Sequence, residues 1–300
     1  MKKICKFILP MMASALFAGC TADFNQAMNH ISDFTQNTEN TKNAENTAQA
    51  AGTLSVFYLD VGQGDSEFIE LPGGKTMLID AGTSESGDYI IDFIHERGIS
   101  KLDYVVATHP HADHIGGMAD VLKAFSIGEI YMPDVTHDTK TFDRMLDAIE
   151  EKNITVKRAK AGISIFKDGS MNAELLAPCS DSYEELNDYS AVVKLNYGST
   201  SFLFMGDAEE LSENEIQGNV QCDVVKVGHH GSNTSSSPGF VSRTKAKYAV
   251  ICAGRDNSYG LPKDKIISRW QNAGAEVLRT DIDGTISFTS DGRTVERSDF

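Results

Sequence analysis

The chain has 300 residues, 41% hydrophobic and 23% charged, so it can bury a core and is not disordered throughout. Its formal net charge is −16, which argues against a broad basic surface for gripping nucleic acid, because phosphates are held mainly by Lys and Arg. Bound divalent ions would offset that charge locally, so a nuclease is disfavoured but not excluded.

The N-terminus reads as an address. Lys2, Lys3 and Lys6 precede an apolar run over 7–17 and the small residues Ala18-Gly19, with Cys20 directly after. This is the pattern of a secretory signal, and the cysteine after the cut resembles a bacterial lipobox, with Phe17 where Leu is commoner. Residues 1–20 are therefore expected to be a lipoprotein signal peptide with Cys20 lipidated; the alternative is an ordinary secretory signal. The apolar run is too short to span a bilayer. Residues 21–52, rich in Asn, Thr, Gln and Ala, cannot bury enough surface to offset their ordering entropy and read as a disordered tether. With Cys5 removed and Cys20 lipidated, Cys179, Cys222 and Cys252 remain, an odd set with no zinc-knuckle spacing, and burial is their expected fate.

Residues 53–300 read as one domain. A strand over 54–59 ends at Asp60-Val61-Gly62-Gln63-Gly64-Asp65, and 67–71 and 76–80 flank Pro72-Gly73-Gly74-Lys75 as a hairpin. Helical spacing over 89–96 stops at Gly98, a short buried strand covers 105–107, and helix-like stretches recur near 117–125 and 141–152. A second hairpin over 190–197 and 201–205 turns at Gly198-Ser199. Buried strands follow at 224–227 and 248–252, then a helix over 265–272 and a last hairpin at 284–288 and 293–295. Lys226 is expected to be solvated at one end of its strand, with no function. Strands in two halves, each followed by helices, imply a layered α/β fold of two packed sheets with helices outside.

His109-Pro110-His111-Ala112-Asp113-His114 carries the chemistry. It follows the short apolar strand and precedes Gly116-Gly117 and a helix, the kind of loop on which a rigid scaffold displays side chains. Three imidazoles and a carboxylate in six residues are costly core filler and suit an ion with N and O ligands. Alternation along the loop lets His109 and His111 point one way while Asp113 and His114 serve a neighbouring site.

The cluster resembles the H-x-H-x-D-H signature of the metallo-β-lactamase superfamily. Its companions stand in order: Ile79-Asp80-Ala81-Gly82, Phe204-Met205-Gly206-Asp207 and Val227-Gly228-His229-His230-Gly231-Ser232. The resemblance implies a four-layer αββα sandwich and two divalent ions, Zn²⁺ or Mn²⁺. These would be held by His109, His111, Asp113, His114, Asp207 and a histidine of the pair His229/His230, with Asp80 supporting the loop from behind. Asp207 would bridge the ions, Asp113 would help position a bridging hydroxide, and the remaining histidine would contact substrate or donate a proton. Leu59 to Ser66, Thr108 to Gly117 and His229 to Ser232 are similar, more narrowly, to the hydrolase domain of ComEC-type DNA-uptake competence proteins. Asn187, Ser190 and the Thr280-Asp281 and Gly284-Thr285-Ile286 stretches fit the same group. Candidate supporting or substrate-contacting residues are Asp60, Asp65, Asn187, Ser190, Ser232, Asn257 and Tyr259. Asp60, Gln63 and Asp65 read equally well as caps of a tight turn.

Two departures stand out. No histidine lies between His137 and His229, where many superfamily members supply a ligand; Asn187 or Ser190 falls there instead, leaving the site of His109, His111 and Asp207 open. Tyr259-Gly260-Leu261-Pro262 stands where the narrower group often has Tyr-Gly-His-Pro. The resemblance implies a phosphodiesterase or nuclease acting on a phosphodiester such as extracellular DNA, and the N-terminal signal implies a place at the cell surface, with the membrane reached only through the lipid anchor. Alternatives are a phosphoesterase of envelope polymers, such as choline-decorated teichoic acids, and a surface binding protein that keeps the fold without chemistry. The sequence names no protein partner.

Overall fold

Alternation and apolar runs sort the strands of the computed structural model, which describes residues 52–298, into two sheets. β1 (Leu54–Tyr58), β2 (Glu67–Glu70), β3 (Thr76–Ile79), β4 (Lys101–Val106), β5 (Ser126–Met132), β6 (Thr155–Arg158), β14 (Ile286–Ser290) and β15 (Val295–Ser298) form the first. Its order is β15-β14-β1-β2-β3-β4-β5-β6. β7 (Ser164–Asp168), β8 (Met171–Ala177), β9 (Val192–Tyr197), β10 (Thr200–Phe204), β11 (Val224–Lys226), β12 (Tyr248–Ile251) and β13 (Glu276–Arg279) form the second, in the order β13-β12-β11-β10-β9-β8-β7. The signal peptide, Cys20 and nearly all of the tether lie outside the described residues.

Each sheet is antiparallel where hairpins connect it and parallel where helices do. β1, β2 and β3 pair antiparallel, with Val56 opposite Ile69; β3 to β6 run parallel. β9 and β10 form the hairpin about Gly198-Ser199, and β10 to β13 run parallel. The strand period of two decides which side chains meet. Val56, Tyr58, Ile69 and Met77 face Leu195, Phe202, Phe204 and Val250 in one core between the sheets. Tyr58 stacks on Phe204 with ring centroids 5.9 Å apart.

Phe57 and Phe68, on the opposite face, meet Phe93 of α1 (Gly87–Glu96) at 5.4 and 6.1 Å. That helix buries Ile90, Phe93 and Ile94, one stripe at helical spacing. Beyond the short α2 (Ala112–Ile115), α3 (Met118–Ala124) and α4 (Lys140–Glu151) bury their own apolar stripes, as α1 does. On the far side, after α5 (Glu210–Glu215), Phe240 and Val241 of α6 (Pro238–Thr244) and Ile266 and Trp270 of α7 (Asp264–Asn272) pack on Leu203, Val225, Ala249 and Ile251. The short α8 (Thr280–Asp283) follows β13. The layers are helix, sheet, sheet, helix.

β5, β6, β7, β8 and β13 lie where the sequence reading placed no strand, and β4 starts at Lys101, before the expected 105. β8 alternates buried and half-buried residues along its length, and β7 turns into it at Gly169-Ser170 after Asp168. Cys179, Cys222 and Cys252 are free; the latter two are buried and Cys179 half-buried. No described helix is long and apolar enough to cross a membrane. The C-terminal ends of β3, β4, β10 and β11 lead into the segments bearing Asp80, His109 to His114, Asp207 and His229-His230. The crevice beyond the carboxyl ends of parallel strands is the usual place for a ligand in open α/β sheets.

Candidate metal centre

Asp80 organises the histidine loop from beneath. Its buried carboxylate accepts hydrogen bonds from the Thr108 amide (2.8 Å), the Thr108 hydroxyl (2.6 Å) and His114 Nδ1 (2.7 Å). One carboxylate thus fixes the start of the loop and the tautomer of its last imidazole, as metal-ligating histidines require. Gly116 allows the approach: a Cβ there would overlap the backbone of Thr83 and Ala112.

Asp207 is the centre of the constellation. Its Oδ1 lies 3.2 Å from His114 Nε2 and 3.5 Å from His230 Nε2; its Oδ2 lies 3.9 Å from His109 Nε2 and 3.8 Å from His229 Nε2. Asp113 Oδ2 is 3.4 Å from His230 Nε2, and His111 Nδ1 is 2.9 Å from His109 Nε2. Asp113, His114, Asp207 and His230 bring one ligand atom each within 4.8 Å of one another. His114 Nε2, His230 Nε2 and Asp207 Oδ1 are buried and make no hydrogen bond within the protein. Buried polar atoms without partners are expensive, and three of them aimed at one point fit a cation with N and O ligands at ~2.0–2.2 Å. The residues present therefore fit a divalent ion.

Electrostatics agree. Burial opposes charge on His230, but Asp207 and Asp65 outweigh it and hold the imidazolium up to about 10. His114 is raised in the same way by Asp207, Asp80 and Asp65 against its own burial. His109 is pushed down, first by burial and then by the charge on His114. The surrounding carboxylates thus favour positive charge at His114 and His230, the place where a cation would sit.

His230 and His229 are adjacent but do different things. His230 is buried, gives Nδ1 to the Cys252 carbonyl (2.9 Å) and turns Nε2 to Asp113 and Asp207. His229 is half-buried and gives Nδ1 to Thr234 Oγ1 (2.9 Å) and Glu209 Oε1 (3.1 Å). Both residues have left-handed backbones, φ 49° and 50°. That region is uncommon for a side-chain-bearing residue, and two in succession mark a conformation imposed by surrounding packing.

The family model for the metallo-β-lactamase superfamily matches residues 59–255. The chain belongs to that superfamily. It is 30% identical over 250 residues to ComE operon protein 3 of Bacillus subtilis, covering 77% of this chain and 32% of that protein. Competence protein ComA of Neisseria gonorrhoeae is 28% identical over 234 residues, covering 76% of this chain and 31% of that protein. The chain thus spans about a third of the length of these curated relatives. Among solved structures, the diiron β-hydroxylase CmlA of Streptomyces venezuelae superposes with a TM-score of 0.54 at 14% identity, covering 83% of this chain and 55% of that chain, a likeness of fold alone.

Against the superfamily pattern, several sequence expectations change. Lys226 is not solvated: it is fully buried, ion-paired to Asp65, bonded to the Gly206 carbonyl at 3.0 Å and 4.0 Å from Asp207 Oδ1. Asp65 is buried beneath the site, with Oδ1 3.3 Å from His230 Nδ1. Asp60 is exposed and accepts the Gly62 amide, so it caps its turn and stands outside the site. Asn257 spends its side chain on its own loop, donating to the Gly254 and Leu261 carbonyls and accepting the Leu261 amide, which leaves nothing for substrate. Tyr259 is 67% exposed on that loop. Ser190 accepts the Asp207 amide at 3.1 Å and lies 3.4 Å from His109 Nδ1, so it supports ligands from behind and replaces none. Asn187 donates to Glu209 Oε1 at 3.0 Å, and Ser232 meets the Thr234 hydroxyl at 3.1 Å. Sequence reasoning missed Lys226, Glu209 and Thr108. A lone lysine in an apolar run and a Glu two residues past a candidate ligand were the available signals.

Proposed function

We propose that the chain is a metal-dependent phosphodiesterase that cleaves nucleic acid outside the cytoplasm, tethered at the membrane through a lipid on Cys20. The observation that supports it best is the convergence of His114, His230, Asp113 and Asp207 on one point, with buried ligand atoms otherwise unpartnered. The competence-named relatives supply the direction of the substrate reading. Zn²⁺ is the favoured ion and Mn²⁺ the alternative, as both accept this imidazole and carboxylate set.

Bound divalent ions supply Lewis-acid polarisation and an acidified water at neutral pH. The chain's own residues prepare the ground for that chemistry. Asp80, the Cys252 carbonyl and Asp65 hold the His114 and His230 rings, so their Nε2 atoms need no reorganisation. Asp113, a third exposed, is the most open carboxylate of its group and is placed to accept a proton at Oδ2. The hydroxyls of Ser232 and Thr234 at the rim offer donors to an anionic substrate.

The acid-rich composition favours a second reading, hydrolysis of choline-decorated envelope polymers, whose quaternary ammonium groups complement an acidic protein. Cleavage of single-stranded DNA, bis(p-nitrophenyl) phosphate and a phosphorylcholine ester should be compared side by side after metal is restored. DNA cleavage that falls by at least about 10²–10³-fold in Asp207→Ala is expected. Cleavage of the choline ester alone would select the second reading. No turnover of any substrate would leave the binding-protein alternative.

A further inference from the structure

We propose that His229 is the third imidazole of a first metal site, replacing the histidine absent between His137 and His229. The two adjacent histidines of Gly228-His229-His230-Gly231 would then serve different ions. The inference rests on the metal-centre reading above and deepens it.

The Asp207 carboxylate divides the histidines into two pairs. Oδ1 faces His114 and His230 at 3.2 and 3.5 Å, and Oδ2 faces His109 and His229 at 3.9 and 3.8 Å. Two ligands held at ~2.0–2.2 Å by one ion stand at most about 4.4 Å apart, so each of these imidazoles lies within reach of an ion shared with Asp207 Oδ2, and the two rings must close toward one another to hold the same one. His111 joins it through its 2.9 Å approach to His109.

All four rings are mounted alike. Each gives Nδ1 to a fixed partner and turns Nε2 toward Asp207: His114 to Asp80, His230 to the Cys252 carbonyl, His109 to Thr108 Oγ1 at 3.1 Å, and His229 to Thr234 and Glu209. A carboxylate behind the imidazole is the usual support of a metal-bound histidine. A solvated surface histidine needs no such mounting.

The same view accounts for Asn187. It falls where a histidine was expected, and its amide instead donates to Glu209, which in turn bears on His229 and Thr234, and stands 3.5 Å from the His229 ring nitrogens. The missing ligand is thus replaced by a chain of three: Asn187 orients Glu209, Glu209 orients His229, and His229 faces the site. The consecutive left-handed residues make this possible, leaving the His229 and His230 rings 6.2 Å apart and inclined at 67°. His137, with its ring 5.9 Å from that of His111, is the competing candidate.

The test is metal stoichiometry and affinity of the purified full-length chain, stripped and titrated with Zn²⁺, and with Co²⁺ for its ligand-field absorption. Wild type is expected to take two ions. His229→Ala should take one, lose part of the Co²⁺ absorption and keep the ion of Asp113, His114, Asp207 and His230, whose retention shows that the variant folds. Glu209→Gln should weaken the lost ion by about 10–100-fold, with no further loss in the double variant. Two ions bound with unchanged affinity in His229→Ala would overturn the inference, as would loss of an ion from His137→Ala but not from His229→Ala. A wild type that binds no ion would instead overturn the metal-centre reading beneath it.

Discussion

Lys226 brings an ammonium into the interior at a cost of several kcal/mol unless neighbouring charge and hydrogen bonds answer it. Asp65 supplies the charge and the Gly206 carbonyl the hydrogen bond. Burial alone would lower the Lys226 pKa, but Asp65 and Asp207 outweigh it and push it above the ordinary lysine value. The pair stands directly beneath the site, since Asp65 also touches His230. Lys226→Met should destabilise the metal-free protein by about 3–5 kcal/mol, because it strands the Asp65 charge. Lys226→Met with Asp65→Asn should cost clearly less than the two single changes summed. Urea unfolding of the four proteins measures this, and strict additivity would deny the ion pair. Neither partner was legible as a pair, because they lie far apart in sequence and belong to different sheets, Asp65 just before β2 and Lys226 in β11. The ligands were legible for the opposite reason: six consecutive residues concentrate three imidazoles and a carboxylate, a local signal that needs no tertiary context.

Between residue and fold, α5 and α6 brace the segment that follows the histidine pair. Glu213 of α5 accepts the amides of Ser236 and Ser237, and Ser237 in turn caps α6 through Phe240. Arg269 and Trp270 of α7 bind Ser236 from the other side. Burial raises the Glu213 pKa to about 6, and the hydrogen bonds from Ser236 and Ser237 only partly offset it. A carboxyl whose folded pKa lies above its unfolded value stabilises the fold most below the unfolded pKa, and that contribution is lost as pH rises through about 6. Relative to Glu213→Gln, wild type should therefore gain stability as pH falls from above 6 to about 4.5, by roughly 2 kcal/mol. Paired urea titrations across that range read the difference directly; a gap that stayed constant with pH would show that Glu213 does not titrate there. This bracing was not readable in advance, because α5 and α6 are short, polar on much of their surface and lack a long apolar stripe.

At the scale of the molecule, the two sheets divide the candidate ligands between them. His109, His111, Asp113 and His114 follow β4 of the first sheet, while Asp207, His229 and His230 follow β10 and β11 of the second. The layered plan was foreseeable from strand clusters with helices after them. The missed strands were those whose pattern competes with other readings: β6 is a polar edge strand with mostly exposed residues, and β8, though it alternates, lies in a mixed polar run. The division of ligands has a mechanical consequence. An ion held by Asp113 and His114 from one sheet and by Asp207 and His230 from the other ties the sheets at their shared edge, and only the folded chain offers all four groups. Binding restricted to the folded state adds about 2.7 kcal/mol per site at a free ion concentration 100-fold above Kd. For a domain of this size that corresponds to roughly 5–10 °C in Tm. Stripping with chelator should lower Tm by that order, re-addition of Zn²⁺ or Mn²⁺ should restore it, and Asp207→Ala should abolish most of the response. A Tm indifferent to chelator and metal in wild type would mean that the convergent histidines and carboxylates do not hold an ion across the two sheets.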